Sequence, residues 1–360
     1  MLFSFINLRG TDLLAKQFLF YALSITIIYF YKDNFLKKNI RFLYLLFNAL
    51  LLYLLLFGRE VNGSKAWLNL GFFSFQPSEF MKIILLIYLS FIATKYEHYK
   101  LKCLIITLIP SILTFLEPDT GNVVFYLVTY LALIFYKEGK VSSIIKYGFV
   151  FGGVSALLLL AYINYSEYFI KIFGYSIYYR IDRVLSLFDN SSYQLNRALI
   201  GIGNASLFGS DKIVAIPYQT TDFAFSYLIS NIGFFGSLAF LIFNIYVNLY
   251  FISQIKYSIG SDKLVMFGFI SIKIVQETIH MLMNIGLFPI TGITLPFISY
   301  GGSSILSYAL ILAYISKDNY SMVDNKDKVG LDMGMDLHRL VEVLKAQLQQ
   351  HRLIRPKEME

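Results

Sequence analysis

The chain has 360 residues, of which 57% are hydrophobic and only 15% are charged, and its mean hydropathy is +0.60. This composition excludes an ordinary soluble domain and indicates a protein that crosses a membrane several times. The net charge of +8 comes largely from lysines between apolar segments, so acidic membrane lipids are the expected partner of these charges and nucleic acid is not.

Nine apolar segments are long enough to cross, or nearly to cross, a hydrocarbon core of about 30 Å. They lie at residues 13–31, 41–57, 79–95, 101–116, 120–136, 144–163, 223–251, 264–288 and 297–316. Each segment is continuously apolar rather than alternating, which favours helices over strands. The sequence therefore predicts an all-α polytopic membrane protein of about nine to ten transmembrane helices.

Lysines mark every second connection between these segments, which predicts that those connections face the cytoplasm. They are Lys32, Lys37, Lys38, Lys95, Lys100, Lys102, Lys137, Lys140, Lys146, Lys256, Lys263 and Lys317. The alternate connections, among them one long loop over residues 164–222, then open on the outer side. Residues 1–320 form the predicted transmembrane domain.

Residues 321–360 form a predicted cytoplasmic tail with almost no aromatic residues after Gly330. An amphipathic helix is indicated there by the spacing of Leu337, Leu340, Val341, Leu344 and Leu348. Either a partner-binding helix or a fusion or frameshift scar accounts for this segment.

The first outer loop contains Lys65 and the one tryptophan of the chain, Trp67, ahead of the block FQPSEFMK. A lone tryptophan at a membrane edge is typical of an interfacial anchor. Pro77 fits the first turn of a helix, and Glu79 and Lys82 can pair on one face of that helix. Ionisable residues that enter a membrane segment are candidates for function, although a structural ion pair explains them nearly as well.

The second outer connection reads EPDTGN and places Glu117 and Asp119 on either side of Pro118. Two carboxylates this close can bind a divalent cation or position a hydroxyl, and they can equally belong to a solvated turn. Glu277 and His280 have the spacing of one half of a di-iron site, but no second such pair exists, so metal ligation is not expected there.

The long outer loop carries arginine and glutamine side chains. They are Arg180, Arg183, Gln194 and Arg197. The guanidinium group of arginine can donate two parallel hydrogen bonds to a phosphate or pyrophosphate group. Gln194 and Arg197 share one face if their segment is helical. The glycine-rich stretch 201–210 lacks the lysine that ends a P-loop, so no nucleotide or other organic cofactor is expected.

The long loop ends at Asp222, directly before an apolar run. A carboxylate at a membrane edge is partly shielded from bulk water, which raises its pKa and makes it a better proton acceptor. A helix cap is the commoner role for an aspartate in this place.

The last outer connection, NIGLFPITGITLPFISYGGSS, is rich in glycine and proline. Irregular backbone at membrane depth persists only where it is buried in protein or lines a wet cavity. This stretch is therefore predicted to form the rim of a cavity.

In chain order, the blocks GSKAWLNLG, FQPSEFMK, EPDTGN, YQ, TTDF and LPFISYGGSS resemble the SEDS family (shape, elongation, division and sporulation) of RodA/FtsW-like proteins. The resemblance spans about residues 10–320. It implies a glycosyltransferase of the bacterial plasma membrane that polymerises lipid II, the undecaprenyl-pyrophosphate-linked disaccharide-pentapeptide, at the outer face. It also implies a class B penicillin-binding transpeptidase as partner. A divalent cation, Mg²⁺ or Mn²⁺, bound near Glu117 and Asp119 is a candidate to stabilise the leaving pyrophosphate.

By the same matching, Asp222 takes the place of the family's essential aspartate and is the expected catalytic base. Substrate contacts are expected in the matched motifs at Gln76, Ser78, Glu79, Lys82, Ser299, Tyr300, Gly301, Gly302 and Ser303. Further candidates, on charge and position, are Lys65, Trp67, Arg180, Arg183, Gln194 and Arg197. Metal ligation is expected at Glu117 and Asp119.

The sequence departs from the family pattern in several places. Family members usually cross the membrane ten times, so the first crossing is expected to be absent or abbreviated here. The family's arginine, histidine and glutamate pair are replaced by Ala66, Thr220 and Ser230-Asn231. A lipid II flippase or transporter, and a scaffold for the transpeptidase, are the alternative functions.

Overall fold

The computed structural model describes residues 11–31, 35–60, 64–69, 71, 73–140, 160, 162, 164–165, 167–171, 174–175, 178, 193–210 and 214–326. Its helices are α1 (Thr11–Phe30), α2 (Phe35–Phe57), α3 (Pro77–Lys95), α4 (Tyr99–Leu116), α5 (Thr120–Glu138), α6 (Tyr193–Gly203), α7 (Ala224–Gln254), α8 (Gly260–Asn284) and α9 (Gly302–Lys326). A 3-10 turn, Ile255–Tyr257, follows α7. Two short strands, β1 (Leu68–Asn69) and β2 (Ser74–Phe75), pair antiparallel between α2 and α3.

Within the described residues, six helices are long and apolar enough to cross a membrane, namely α2, α3, α4, α5, α7 and α8. The apolar parts of α1 and α9 are shorter, at Ala15–Phe30 and Gly302–Ser316. These elements confirm the predicted all-α membrane architecture. The predicted segment 144–163, apart from residues 160 and 162, and the predicted tail helix lie outside the described residues.

Helix α3 is the central helix of the bundle. In its most apolar 18-residue stretch, 78% of the residues are buried inside the protein, compared with 28% in α2 and in α7. It packs against α2, α4, α5 and α8. The outward faces of α2 and α7 carry exposed apolar side chains such as Phe42 and Phe243, as expected of surfaces that lipid covers. Polar residues on α3 are thus placed in the protein interior.

Local chemistry explains where α3 and α5 begin. Pro77 occupies the first turn of α3, as predicted, where a backbone N–H would have no helical partner. Asp119 is the N-cap of α5, since its Oδ1 accepts from the amide of Asn122 at 3.4 Å. Glu79 and Asp119 are thereby set at the same end of neighbouring helices.

The predicted segment 223–251 is helical but contains a break at Gly233, whose φ of 69° and ψ of −169° are not helical. The loop after α6 fills this break. The amides of Phe234 and Phe235 donate to the carbonyls of Ser206 and Leu207, each at 3.1 Å. A Cβ on Gly233 would lie 2.2 Å from the Gly209 nitrogen, so the break requires glycine.

The connection between α8 and α9 is irregular over residues 285–301. The predictions that helix continues to residue 288 and resumes at residue 297 were wrong, because α8 ends at Asn284 and α9 begins at Gly302. Gly286 and Gly292 take positive φ values of 80° and 69°, which turn the chain without the steric cost of a side chain. This segment, called the 285–301 segment below, packs beside Asp222.

Candidate active site

Asp222 lies in a tight turn directly before α7. The amides of Thr221 and Phe223 both donate to the Tyr218 carbonyl at 3.1 Å. The N-cap of α7 is Phe223, and no side-chain cap bond is formed there among the described residues. The helix-cap explanation of Asp222 was therefore wrong, and its carboxylate is left for another role.

Three successive carbonyls of this turn are held by hydrogen bonds from residues that are distant in sequence. The carbonyls of Thr220, Thr221 and Asp222 accept hydrogen bonds, in that order, from Tyr300 N at 2.7 Å, Ser299 Oγ at 2.7 Å and Asn284 Nδ2 at 3.0 Å. Ser299 Oγ also accepts from the Leu295 amide at 2.9 Å. The backbone around the carboxylate is consequently held in one conformation.

The environment of Asp222 suits a proton acceptor. Burial raises the pKa of this carboxyl from 3.8 to about 6, and a hydrogen bond from the Thr221 side chain opposes the shift. A Cβ built on the exposed Gly292 would lie 4.0 Å from Asp222 Oδ2. Because glycine has no side chain there, and no other atom of the described residues beyond its chain neighbours lies within 4 Å of that position, the carboxylate is not covered from this side.

A second polar cluster surrounds Asp119, where α3 and α5 begin. Its Oδ2 accepts from Ser78 Oγ at 2.6 Å, from Gln76 Nε2 at 2.8 Å and from Asn122 Nδ2 at 2.9 Å. Asn122 Nδ2 also reaches Glu79 Oε1 at 3.4 Å. This cluster joins the two helices and continues into the interior of the bundle.

Lys82 continues the cluster inward, and its side chain is completely buried. Its ammonium group donates to Glu79 Oε2 at 2.9 Å and to Gln276 Oε1 at 3.3 Å. The rings of Phe125 and Tyr308 lie 5.0 and 5.1 Å from Lys82 Nζ. The predicted Glu79–Lys82 pair is confirmed, and it lies inside the protein.

The 285–301 segment connects the two clusters. Gln276 Nε2 donates to the Thr294 carbonyl at 2.8 Å, which ties the segment to the Lys82 network. A Cβ on Gly121 would lie 2.9 Å from Ile293 Cγ1, so the segment also packs closely on the start of α5. Since Gly292 adjoins Asp222, residues 292–294 touch both clusters.

Glu117 is fully buried, and both of its carboxyl oxygens have no hydrogen-bond partner among the described residues. Burial and the nearby Asp119 raise its pKa to about 9, so the group is uncharged near neutral pH. Its carbonyl accepts from Ser64 Oγ at 2.8 Å and from the Lys65 amide at 3.2 Å. Glu117 thereby anchors the connection between α2 and α3 to the Asp119 cluster.

The predicted metal ligands do not form a good ligand set in this arrangement. Asp119 Oδ2 already accepts three hydrogen bonds, and Glu117 is held uncharged. In the part of the chain that the structure describes, no three His, Cys, Asp or Glu residues form a metal-binding group. Glu277 pairs instead with Lys273, and His280 Nδ1 lies 2.7 Å from the Ile293 carbonyl.

The other predicted site residues occupy different places. Ser303 Oγ accepts from the Gln76 amide at 2.9 Å and thus joins the start of α9 to α3. Gly302 packs on Phe20, whose ring would lie 2.3 Å from an added Cβ. Trp67 is 37% exposed, in agreement with an interfacial anchor. Gly301 adjoins Gly302 at the end of the 285–301 segment.

The long loop is described only in part. Gln194 and Arg197 lie on α6, which confirms the helical spacing of this pair. Arg197 Nε donates to the Ala215 carbonyl at 3.0 Å, so part of its guanidinium group is engaged in holding the loop. Arg180 and Arg183 lie outside the described residues.

Sequence reasoning gave no role to three buried amides, Asn122, Gln276 and Asn284. Each bonds to a group in another part of the fold: Asn122 to Ser78 Oγ, Gln276 to the Thr294 carbonyl and Asn284 to the Asp222 carbonyl. Their presence in apolar segments was the available signal, since a buried amide must find partners. The partners themselves were not readable from local spacing.

A sequence profile of the FtsW, RodA and SpoVE family, described as cell cycle proteins, matches residues 5–320. The chain belongs to this family. A probable peptidoglycan glycosyltransferase FtsW of Wigglesworthia glossinidia brevipalpis is 32% identical over 321 residues, which cover 81% of this chain and 79% of the relative. A relative of the same description from Nitrosomonas europaea is 32% identical over 281 residues, covering 71% and 68% of the two chains.

Solved structures of family members share the fold. A chain of a peptidoglycan synthase complex, which coordinates polymerization and crosslinking, has a TM-score of 0.71 and 24% identity, covering 88% of this chain and 94% of that chain. The rod-shape-determining protein RodA of Thermus thermophilus has a TM-score of 0.64 and 23% identity, covering 88% and 90%. With its membrane-length helices, this SEDS-family chain is an integral membrane protein.

Proposed function

We propose that this membrane protein is a peptidoglycan glycosyltransferase that polymerises lipid II, with Asp222 as its general base. The observation that carries the proposal is the placement of the Asp222 carboxylate. It has a raised pKa, does not cap its helix, lies beside the exposed Gly292, and belongs to a turn anchored at three carbonyls. The glycosyltransferase names of the curated relatives support the same activity.

The proposed reaction needs one proton acceptor and stabilisation of one leaving group. A sugar hydroxyl of the acceptor gives its proton to Asp222 as its oxygen bonds to the anomeric carbon of the donor sugar. The bond from that carbon to pyrophosphate breaks, and undecaprenyl pyrophosphate leaves with the electron pair. Lys65, Arg180, Arg183 and Arg197 are our candidates to stabilise its charge.

Lys82 has a different part in this proposal. It is completely buried and neutralised by Glu79, so it supports the site from inside and is not assigned to pyrophosphate. Gln76, Ser78 and Ser303 likewise bond within the protein. The divalent cation stays a prediction, and no step is assigned to it.

We place the site on the outer face of the plasma membrane, since the alternation of lysines puts the connections near Asp222 and Asp119 opposite the lysine-rich ones. In a Cys103→Ala background, an impermeant thiol reagent applied to intact cells should label Lys65→Cys. It should not label Lys100→Cys or Lys140→Cys until the membrane is opened. The reverse pattern would overturn the orientation.

The pH dependence of polymerisation should report the protonation of the Asp222 carboxylate. A general base works only when it is unprotonated, so kcat/KM, which reports the pKa values of the free enzyme, should fall about tenfold per pH unit below about pH 6, where burial places the pKa of Asp222. Initial rates at lipid II concentrations well below KM, from about pH 5 to about pH 8, measure this dependence. A kcat/KM that stays constant down to about pH 5 would show that the pKa of the carboxylate remains near the ordinary aspartate value of 3.8 and would contradict the buried base.

The partner that we propose is a class B penicillin-binding transpeptidase. The similar chain of known structure belongs to a synthase complex that couples polymerization to crosslinking. Co-purification of the two membrane proteins, and stimulation of polymerisation by the transpeptidase, test this pairing. Stimulation without any transpeptidase activity would still support it, because polymerisation and crosslinking are separate reactions.

A further inference from the structure

A stripe of polar side chains runs along α8 in steps of one turn, at Gln276, His280 and Asn284. All three residues are completely buried. Each contacts a carbonyl outside α8: Gln276 contacts that of Thr294 at 2.8 Å, His280 that of Ile293 at 2.7 Å, and Asn284 that of Asp222 at 3.0 Å. The stripe therefore holds both the 285–301 segment and the turn that contains Asp222.

Asn284 has all of its hydrogen-bonding capacity engaged. Its Nδ2 donates to the carbonyls of Asp222, at 3.0 Å, and His280, at 2.8 Å. Its Oδ1 accepts from the Ser226 amide at 2.9 Å and from Ser226 Oγ at 2.7 Å. An amide side chain offers two donors and accepts through one oxygen, so no other side chain of this size satisfies all four contacts.

The Asn284 side chain connects the turn that contains Asp222 to the start of α7. Its Nδ2 bonds to the Asp222 carbonyl, and its Oδ1 bonds to the Ser226 amide. Ser226 lies in the first turn of α7, where backbone amides have no helical partner, and Asn284 supplies one. The carbonyl of Asp222 belongs to the residue that bears the carboxylate. Ser299 and Tyr300 hold the two residues before it, and Asn284 holds Asp222 itself.

We propose that Asn284 is a positioning residue, which sets the place of the Asp222 carboxylate relative to bound lipid II by clamping the Asp222 carbonyl to the first turn of α7. This role rests on the proposed function. A displacement of a reacting group by about 1 Å can cost about 10²-fold in rate, even when substrate binding is preserved. Loss of the clamp should therefore lower kcat and leave KM nearly unchanged.

Steady-state polymerisation by Asn284→Ala tests whether kcat falls while KM stays nearly unchanged. We expect kcat to fall about 10- to 100-fold, with KM for lipid II within about twofold of the parent value. The matched control is Asn48→Ala, which removes an amide that donates to the Tyr44 carbonyl at 2.8 Å in α2 and should keep the parent kcat. A parent kcat in Asn284→Ala, or a loss confined to KM, would overturn the positioning role.

Asn284→Ser is the second variant, in case alanine prevents folding. It keeps a polar group in the buried site but lacks the amide that reaches the Asp222 carbonyl, so the same loss of kcat is expected. A folded Asn284→Ser protein with the parent kcat would contradict the proposal.

Hydrogen exchange measured by mass spectrometry gives a readout that does not need activity. The peptide covering residues 218–226 should exchange faster in either Asn284 variant than in the parent or in Asn48→Ala. Unchanged exchange would overturn the clamp, whatever the kinetics. If the parent protein makes no polymer, the proposed function fails, and the exchange result still decides whether Asn284 holds the turn.

Discussion

Asp222→Asn should lower the rate of lipid II polymerisation by about 10² to 10⁴ and leave the protein folded. Asparagine keeps the size of the side chain and much of its hydrogen bonding, but it has no basic carboxylate to receive the acceptor's proton. The turn is anchored through backbone carbonyls, and the carboxylate does not cap α7. The fold is therefore expected to tolerate the change.

Initial polymerisation rates, thermal unfolding in detergent and lipid II binding should be measured on the same Asp222→Asn preparation. Binding should persist, since a carboxylate repels pyrophosphate. Asp262→Asn is the matched control, because Asp262, in the first turn of α8, pairs with Lys37 of α2 at the end of the bundle that we assign to the cytoplasm. The polymerisation rate of this variant should equal that of the parent. A folded Asp222→Asn protein that binds lipid II and polymerises at the parent rate would refute the assignment of the base.

Lys82→Met should destabilise the protein by about 3 to 5 kcal/mol. The side chains of Lys82 and Glu79 are 0% and 9% exposed, so removal of the ammonium group leaves a buried carboxylate without its counter-ion. The substitution also breaks the contact to Gln276, through which the 285–301 segment is tied to this network. Denaturant unfolding in detergent, followed by the fluorescence of Trp67, would measure the loss.

Two further variants identify the cause of that loss. Glu79→Gln combined with Lys82→Met removes both charges and should recover a large part of the stability, because the uncompensated buried charge is gone. Lys100→Met breaks the more exposed pair with Glu138 and should cost at most about 1 kcal/mol. A Lys82→Met protein as stable as the Lys100→Met protein would show that the buried pair is not structurally important.

The membrane architecture and the local contacts could be predicted because the physical constraints are local in sequence. A span needs about 20 apolar residues, so α3, α4 and α5 were found from composition alone. The start of α3 at Pro77 and the pair of Glu79 with Lys82 depend on one turn of helix.

The contacts that build the site could not be predicted, because they join distant parts of the chain. Asn284 bonds to a carbonyl 62 residues away, and Gln276 bonds to a lysine 194 residues away. Hydropathy also did not show the break at Gly233, since the residues on both sides are equally apolar. Spacing left Asp119 open to metal binding, whereas the fold surrounds its Oδ2 with three donors from α5 and the region where α3 begins.

Polymerisation of labelled lipid II by the purified protein is the direct test of the proposal that this chain is a glycosyltransferase with Asp222 as its base. The protein should be assayed in detergent and in vesicles, with Mg²⁺, with Mn²⁺ and with a chelator, and with Asp222→Asn as the inactive reference. We expect glycan strands from the parent protein and a loss of at least about 10² in rate for Asp222→Asn. Lipid II that crosses the vesicle membrane without forming any polymer under these conditions would refute the glycosyltransferase proposal and favour the flippase.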